Sequence, residues 1–434
     1  MGQGWLFFQH SMWLHSSLIV NAMSKEKKLD TSFEQCIKCT VCTVYCPVVA
    51  VNPDYPGPKQ AGPDGERYRL KNPLFYDEAL EMCLNCKRCE VACPSNVKIG
   101  DIIQSARLRY GKKRHKLRDF ILANTDLMGS MTTKMAPVVN FTLGLKPVKS
   151  IMDAALSIDH HRTFPKYAGQ TFETWFKKNS KNKQEAYQKH VSYFHGCYAN
   201  YNNPKLAKDF VKIMNAIGYG VNLLEKEKCC GVALISNGFK DQATKQAEMN
   251  LSSIRKAVAR GEQVLTTSST CTFTMRDEYE HILGIENADV RESINLATRF
   301  IFNLVDSGKA KLAFRKDYVK RIAYHTPCHM EKLGWSIYST SLLRMIPGVD
   351  FRMLDSQCCG IAGTYGFKKE HYEDSQKIGE GLFQQIRDCM VDLVATDCET
   401  CKWQIEMSAG VSVENPITII ADALDVEETI KLNK

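Results

Sequence analysis

Cys36-Ile37-Lys38-Cys39-Thr40-Val41-Cys42-Thr43-Val44-Tyr45-Cys46-Pro47 and Cys83-Leu84-Asn85-Cys86-Lys87-Arg88-Cys89-Glu90-Val91-Ala92-Cys93-Pro94 share one spacing, C-x2-C-x2-C-x3-C-P. A four-iron cluster needs four thiolates around a compact inorganic core, three from a tight loop and one from the start of a helix. The proline after each fourth cysteine suits a first helical turn, where no amide donor is needed. Zinc could take two C-x2-C pairs, but its pairs are usually set about a dozen or more residues apart. A disulfide framework suits a short secreted chain, whereas this one has 434 residues and ample material for a core. The spacing therefore points to iron–sulfur chemistry and to a chain that carries electrons.

The two runs resemble the ligand pattern of bacterial two-cluster ferredoxins, in which the fourth cysteine of each run serves the other cluster. That resemblance implies crossed ligand sets for two [4Fe-4S] clusters. One set is Cys36, Cys39, Cys42 and Cys93; the other is Cys83, Cys86, Cys89 and Cys46.

Composition bounds the rest. Hydrophobic content of 44% and charged content of 24% exclude wholesale disorder, and the length allows about two to four domains. Eighteen cysteines in a long chain suit metal or redox chemistry in a reducing compartment. The formal charge of +9 is concentrated: residues 101–190 hold 17 Lys/Arg against 7 Asp/Glu, so everything else sums to −1. The densest part carries Arg107, Arg109, Lys112, Lys113, Arg114, Lys116 and Arg118. Such a cluster suits an anionic lipid surface or an acidic partner; with no nucleic-acid fold signature beside it, no nucleic-acid partner is expected. No stretch reaches the roughly 20 apolar residues of a membrane-spanning helix. Residues 1–28 read as a dispensable extension: Met1 to Ala22 is apolar but lacks a positive start, and His10, Ser11, His15, Ser16 and Ser17 interrupt it.

Residues 29–105 read as the α-helical two-cluster module. The 36 residues between its cysteine runs carry Pro53, Pro56, Gly57, Pro58, Gly62, Pro63, Gly65 and Pro73, which predicts a long connecting loop. The stretch Tyr76 to Glu81 reads as helical. Residues 106–190 form a basic helical segment, with Leu117, Phe120, Ile121, Leu127, Met128, Met131 and Met135 at three- and four-residue steps. That apolar stripe either packs on the cluster module or docks on a membrane or partner.

From residue 191 the chain repeats itself. Tyr193-Phe194-His195-Gly196-Cys197 matches Ala323-Tyr324-His325-Thr326-Pro327-Cys328; Cys229-Cys230-Gly231 matches Cys358-Cys359-Gly360; Gly238-Phe239-Lys240 matches Gly366-Phe367-Lys368. Gln263 to Thr267, leading to Cys271, matches Asp392 to Thr396, leading to Cys398 and Cys401. The offsets are 131, 129, 128 and 130 residues. Each copy, residues 191–318 and 319–434, reads strand, helix, strand, cysteine pair, helix, strand, cysteine. That is an α/β unit with a small parallel sheet and its ligands at strand ends. The expected class is α+β overall: a helical cluster module, a helical linker and two tandem α/β repeats.

The second copy offers Cys328, Cys358, Cys359, Cys398 and Cys401. The first offers Cys197, Cys229, Cys230 and Cys271, with Ser268 in the place of a fifth. Five thiolates exceed what one cubane or one zinc ion needs, so the complete copy suggests an unusual cluster. The plain alternative is a set of buried free cysteines, which is how Cys389, outside the repeat pattern, reads.

A ferredoxin pair followed by two such units resembles the cysteine-rich CCG-domain family. It includes heterodisulfide reductase subunits, glycolate oxidase iron–sulfur subunits and the C subunits of anaerobic glycerol-3-phosphate dehydrogenase. Tyr55-Pro56-Gly57-Pro58-Lys59-Gln60-Ala61-Gly62-Pro63 and Ser268-Ser269-Thr270-Cys271-Thr272-Phe273-Thr274 are most similar to the last of these. The resemblance implies an electron-transfer subunit, itself non-catalytic, serving flavin-containing dehydrogenase subunits of A and B type. Electrons would pass to menaquinone at the cytoplasmic face of the inner membrane, with the chain as a peripheral anchor. It also implies a noncubane [4Fe-4S] cluster on Cys328, Cys358, Cys359, Cys398 and Cys401. Ser268 departs from that pattern in the first copy. A glycolate or lactate oxidase subunit and a heterodisulfide reductase-like thiol–disulfide reductase are the alternative functions.

Overall fold

Described in the computed structural model are residues 31–72, 75, 77–111 and 115–434. The expectations for residues 1–28, Pro73, Tyr76, Lys112, Lys113 and Arg114 lie outside the described residues.

Each cysteine run is a loop closed by one turn of helix, Val41–Val44 or Arg88–Val91. Lys38 and Thr40 in the first loop, and Asn85 and Lys87 in the second, all have φ between 55° and 64°. Paired left-handed residues fold the backbone back on itself without glycine, a costly conformation retained where the surroundings fix it. The same two positions of each run adopt it, so the loops are internal copies.

The segment between the runs corrects the sequence expectation of an unstructured connection. A π-helical turn, Gln60–Asp64, runs into helix α1, Gly65–Lys71. Its glycine and proline are packing residues rather than breakers. A Cβ on Gly62 would stand 3.0 Å from Ile99 Cγ2, and Pro63 sits in the π turn, where the wider ring departs from the usual helical register. Arg69 of α1 is buried, its Nε 2.7 Å from Glu66 and its Nη2 bonded to the carbonyls of Ala61 and Gly62. Helix α2, Ile99–Tyr110, then closes the module over a core of Leu80, Ile102 and Ile103.

Four further helices make the linker: α3 (Lys116–Ala123), α4 (Thr125–Thr133), α5 (Ala136–Thr142) and α6 (Lys146–Leu156). Polar clamps hold it to the second repeat: Arg118 bonds Asp119 and Glu370, and Lys369 pairs with Asp153. Its apolar stripe is only partly covered: Ile121 and Met128 are half-buried, whereas Leu117, Phe120, Leu127, Met131 and Met135 are exposed.

The repeats carry one four-stranded parallel sheet each. The first is β1 (Lys189–Phe194), β2 (Tyr219–Leu223), β3 (Val264–Thr266) and β4 (Ile294–Leu296), in the order β2-β1-β3-β4. The second is β5 (Lys320–Tyr324), β6 (Val349–Met353), β7 (Leu393–Ala395) and β8 (Val413–Glu414), in the order β6-β5-β7-β8. The central strands β1 and β5 are buried from Val191 and Ile322 onward, as a sheet covered on both faces requires. One core runs through both sheets, joining Val191, Tyr193 and Phe210 to Ile322, Tyr324 and Ile420. Ser269 N donates to Asp397 O, and Asn415 Nδ2 to Thr267 O, across the join.

Candidate metal centres

Parallel strands bring the repeat cysteines to their carboxyl ends, where open α/β sheets hold ligands. The ferredoxin loops meet those ends from outside. Asn85 Nδ2 donates to Glu278 of the first repeat at 2.7 Å, and Arg88 Nη2 to Ser356 O of the second at 3.0 Å.

Cys46, Cys83, Cys86 and Cys89 line a small pocket together with Tyr55 and Gly100; Cys93 does not line it. Cys42 has Cys36, Cys93 and Cys39 as its thiol neighbours. The fourth cysteine of each run is thus placed with the first three of the other. Backbone amides point at sulfur, Asn85 N to Cys83 Sγ at 3.4 Å and Val97 N to Cys93 Sγ at 3.3 Å. Burial pushes the Cys46 thiol up to about 12, and burial raises Cys83 and Cys89 as well. A metal that demands thiolate must displace those protons when it binds.

The second repeat splits its five thiols. Cys328 stands beside Cys358 and, across the domain boundary, beside Cys86. Cys359 Sγ lies 3.3 Å from Cys401 Sγ, and Cys401 in turn bonds Cys398. That hydrogen bond, helped by the hydroxyls of Thr400 and Thr270, overcomes burial and draws Cys398 down to about 5. His325 joins Cys359 and Cys401, the donor atoms of all three lying within 4.8 Å of one another. Burial, with the Arg88 guanidinium nearby, pushes the His325 imidazole down to about 3, so it is neutral.

The first repeat gathers four thiols in a chain of contacts, Cys197 to Cys229, Cys229 to Cys230 and Cys230 to Cys271. Ser268 stands beside Cys271 at the end of that chain. Its Oγ donates to Glu399 at 2.9 Å and accepts from Cys271 N at 3.3 Å, capping the short helix Ser269–Phe273. Burial pushes Glu399 up to about 8. Between the repeats, His195, Ser268, Cys271, Cys398 and Glu399 line a small pocket. Cys389 ends the helix Tyr372–Cys389 and packs, half-buried, against the core of the second repeat.

Two basic residues are placed differently from the sequence expectation of a solvent-facing docking cluster. Arg107 bonds the carbonyls of Cys83 and Ser236 and the carboxylate of Glu81. Arg118 is buried among Asp119, Glu370 and Ser157 O. Both hold domains together. Sequence reasoning also passed over His325 and Lys87; the signal for His325 was its match to His195 in the repeat.

Comparison with known proteins agrees with this layout. A 4Fe-4S dicluster domain model matches residues 32–97, and a cysteine-rich CCG domain model matches residues 191–276 and 322–406. The C subunit of the anaerobic glycerol-3-phosphate dehydrogenase of Escherichia coli K12 is 59% identical over 396 residues, covering 91% of this chain and 99% of that protein. The chain belongs to the family of these C subunits. More distant relatives match over shorter stretches. The D subunit of the dihydromethanophenazine:CoB–CoM heterodisulfide reductase of Methanosarcina barkeri is 30% identical over 54% of this chain and 59% of its own length. Lactate utilization protein A 1 of Bacillus anthracis is 26% identical over 41% of this chain and 74% of its own. The thiol sets of this chain fit iron–sulfur groups, with four donors around each ferredoxin site and two adjoining groups in the second repeat, Cys328 with Cys358 and Cys359 with Cys398 and Cys401.

Proposed function

We propose that this chain is the electron-transfer subunit of a respiratory glycerol-3-phosphate dehydrogenase. It takes electrons from a flavin-bearing partner chain and passes them towards menaquinone at the membrane. The observation that carries the reading is the placing of Cys86 and Cys328 as neighbours in one packed cluster, which brings a ferredoxin thiol beside a thiol of the second repeat. Iron–sulfur clusters held by Cys36, Cys39, Cys42 and Cys93, by Cys46, Cys83, Cys86 and Cys89, and by the second-repeat thiols supply one-electron carriers. The protein supplies spacing, burial and the potential-tuning amide–sulfur bonds. No residue of this chain is asked to act on the substrate.

Membrane contact falls to the linker. Among the described residues no helix is long and apolar enough to cross a membrane. Exposed Met131, Met135, Val138, Phe141, Leu145 and Ile151 lie along α4, α5 and α6 beside Lys134, Lys146 and Lys149. An uncovered apolar stripe flanked by cations suits the interface of an anionic bilayer.

The test is purification of the tagged chain from anaerobically grown cells with whatever flavoprotein accompanies it. Adding glycerol 3-phosphate should reduce the flavin and then bleach the iron–sulfur absorbance of this chain. A complex in which substrate reduces flavin while the clusters stay oxidised overturns the reading.

A further inference from the structure

We propose that His325 supplies a nitrogen ligand to the metal centre of the second repeat. The imidazole follows β5 at the carboxyl end of the central strand, its amide fixed to Ala395 O at 3.0 Å. It is fully buried, and neither Nδ1 nor Nε2 has a hydrogen-bond partner. An interior imidazole with two unpaired nitrogens is costly, and buried polar groups almost always find a partner. Here the ring shares a space with Cys359 and Cys401, all three donor atoms within 4.8 Å, and Cys398 bonds Cys401. Two thiols and one imidazole already lie within reach of one metal ion, with Cys398 beside Cys401 as the next donor, and imidazole replaces thiolate on iron in some iron–sulfur centres.

The first repeat shows what the same histidine does without such a role. There His195 Nδ1 stands 3.0 Å from Glu227 Oε1 and 3.0 Å from Gly196 O. Glu227 also accepts from the amide of Gly196 at 2.7 Å. Two residues before the cysteine pair, Glu227 in the first copy is replaced by Ser356 in the second. Arg88 engages that serine at both its Oγ and its carbonyl. The copy that has the extra thiol, Cys398, thus lacks the carboxylate that would occupy its histidine. The copy that has Ser268 keeps it. The two differences fit one cause, a ligand position taken by His325.

The proposal rests on the second repeat holding a metal, and metal analysis keeps the two failures apart. Pulsed EPR of the reduced, anaerobically purified chain should show a nitrogen coupling that changes on labelling with 15N-histidine. It should vanish in His325→Gln and persist in His195→Gln. His325→Cys should keep the metal and lose the coupling, which separates ligation from folding; retained ferredoxin signals check that each variant is folded. If zinc fills the site, its X-ray absorption should show an imidazole in the native chain and only sulfur in His325→Cys. An all-sulfur shell, or a coupling unchanged in His325→Gln, overturns the ligand assignment. About 8 irons per chain with no zinc overturns the metal on which it rests.

Discussion

Cys86 and Cys328 are neighbouring thiols packed in one cluster, each shifting the other's ionisation, so the second ferredoxin loop and the second repeat meet at their cysteines. Arg88 lies beside both and beside Cys358, its charge favoured by Glu331 and the thiols against the cost of its burial. Two reduced centres that close must relax each other magnetically. In the native chain the EPR signal of the centre held by Cys46, Cys83, Cys86 and Cys89 should saturate only at high microwave power. Cys328→Ser should lower that power several-fold and leave the centre of Cys36, Cys39, Cys42 and Cys93 unaltered. Equal saturation in both proteins would show that the contact does not couple them.

Crossed ligand sets give a second expectation. Cys42 and Cys46 are four residues apart, yet they sit with different partners. Cys42→Ser should disturb one cubane and Cys46→Ser the other, each at a loss of up to about 4 irons. Cys93→Ser should reproduce the Cys42→Ser spectrum. Loss of the same signal from Cys42→Ser and Cys46→Ser would refute the crossing.

Legibility followed the range of the interactions. The cysteine runs and the repeat are local patterns, so the module, the parallel sheets and the thiol positions could be read directly. Strands β4 and β8, of three and two residues, are too short to leave a periodic trace. Gly62 reads as a breaker in the sequence because its packing partner, Ile99, is distant along the chain. Arg107 and Arg118 looked solvent-facing because the carbonyls and carboxylates that hold them, Ser236 and Glu370 among them, come from other domains. His325 was invisible as a donor for the same reason: only the fold sets it beside Cys359 and Cys401.

Lys87 illustrates what such distant contacts contribute. Its side chain is fully buried, and its Nζ pairs with Asp101, lies 3.7 Å from Glu90 and lies 3.9 Å from Glu278 of the first repeat. Burial disfavours the charge, but the three carboxylates outweigh burial and raise its pKa. Lys332 of the second repeat completes the network at 3.0 Å from Glu90. Lys87→Met should strand buried carboxylates and cost about 3–5 kcal/mol, read as a lowered unfolding midpoint of the loaded protein. A midpoint within error of the native value would make the network a solvated, weak one.

Proton release on metal binding fixes the sign of a pH effect. With burial pushing Cys46 up to about 12 and raising Cys83 and Cys89, these thiols are protonated when free at neutral pH. Metal loss therefore takes up protons, and cluster retention should improve as pH rises. Iron captured by a ferrous chelator in a fixed time should fall several-fold between about pH 6 and pH 8. A flat profile would mean that the thiols do not retake protons on release.

The linker offers the test of membrane contact. Met131, Phe141 and Ile151 are 61%, 68% and 66% exposed, an arrangement with no benefit unless something apolar covers it. Neutralising Arg107 is a poor probe, because its bonds to Cys83 O and Ser236 O tie the cluster module to the first repeat. Replacing Met131, Phe141 and Ile151 together by Ser removes about 1.5–3 kcal/mol of apolar transfer at each site that inserts fully. Binding to anionic vesicles should fall by at least tenfold while iron content and spectra stay native. Changing Lys134, Lys146 and Lys149 to Gln should weaken binding chiefly at low salt, since each surface cation contributes about 1 kcal/mol that salt screens. If the serine variant binds vesicles as the native chain does, the stripe belongs to a protein partner and the membrane contact lies elsewhere.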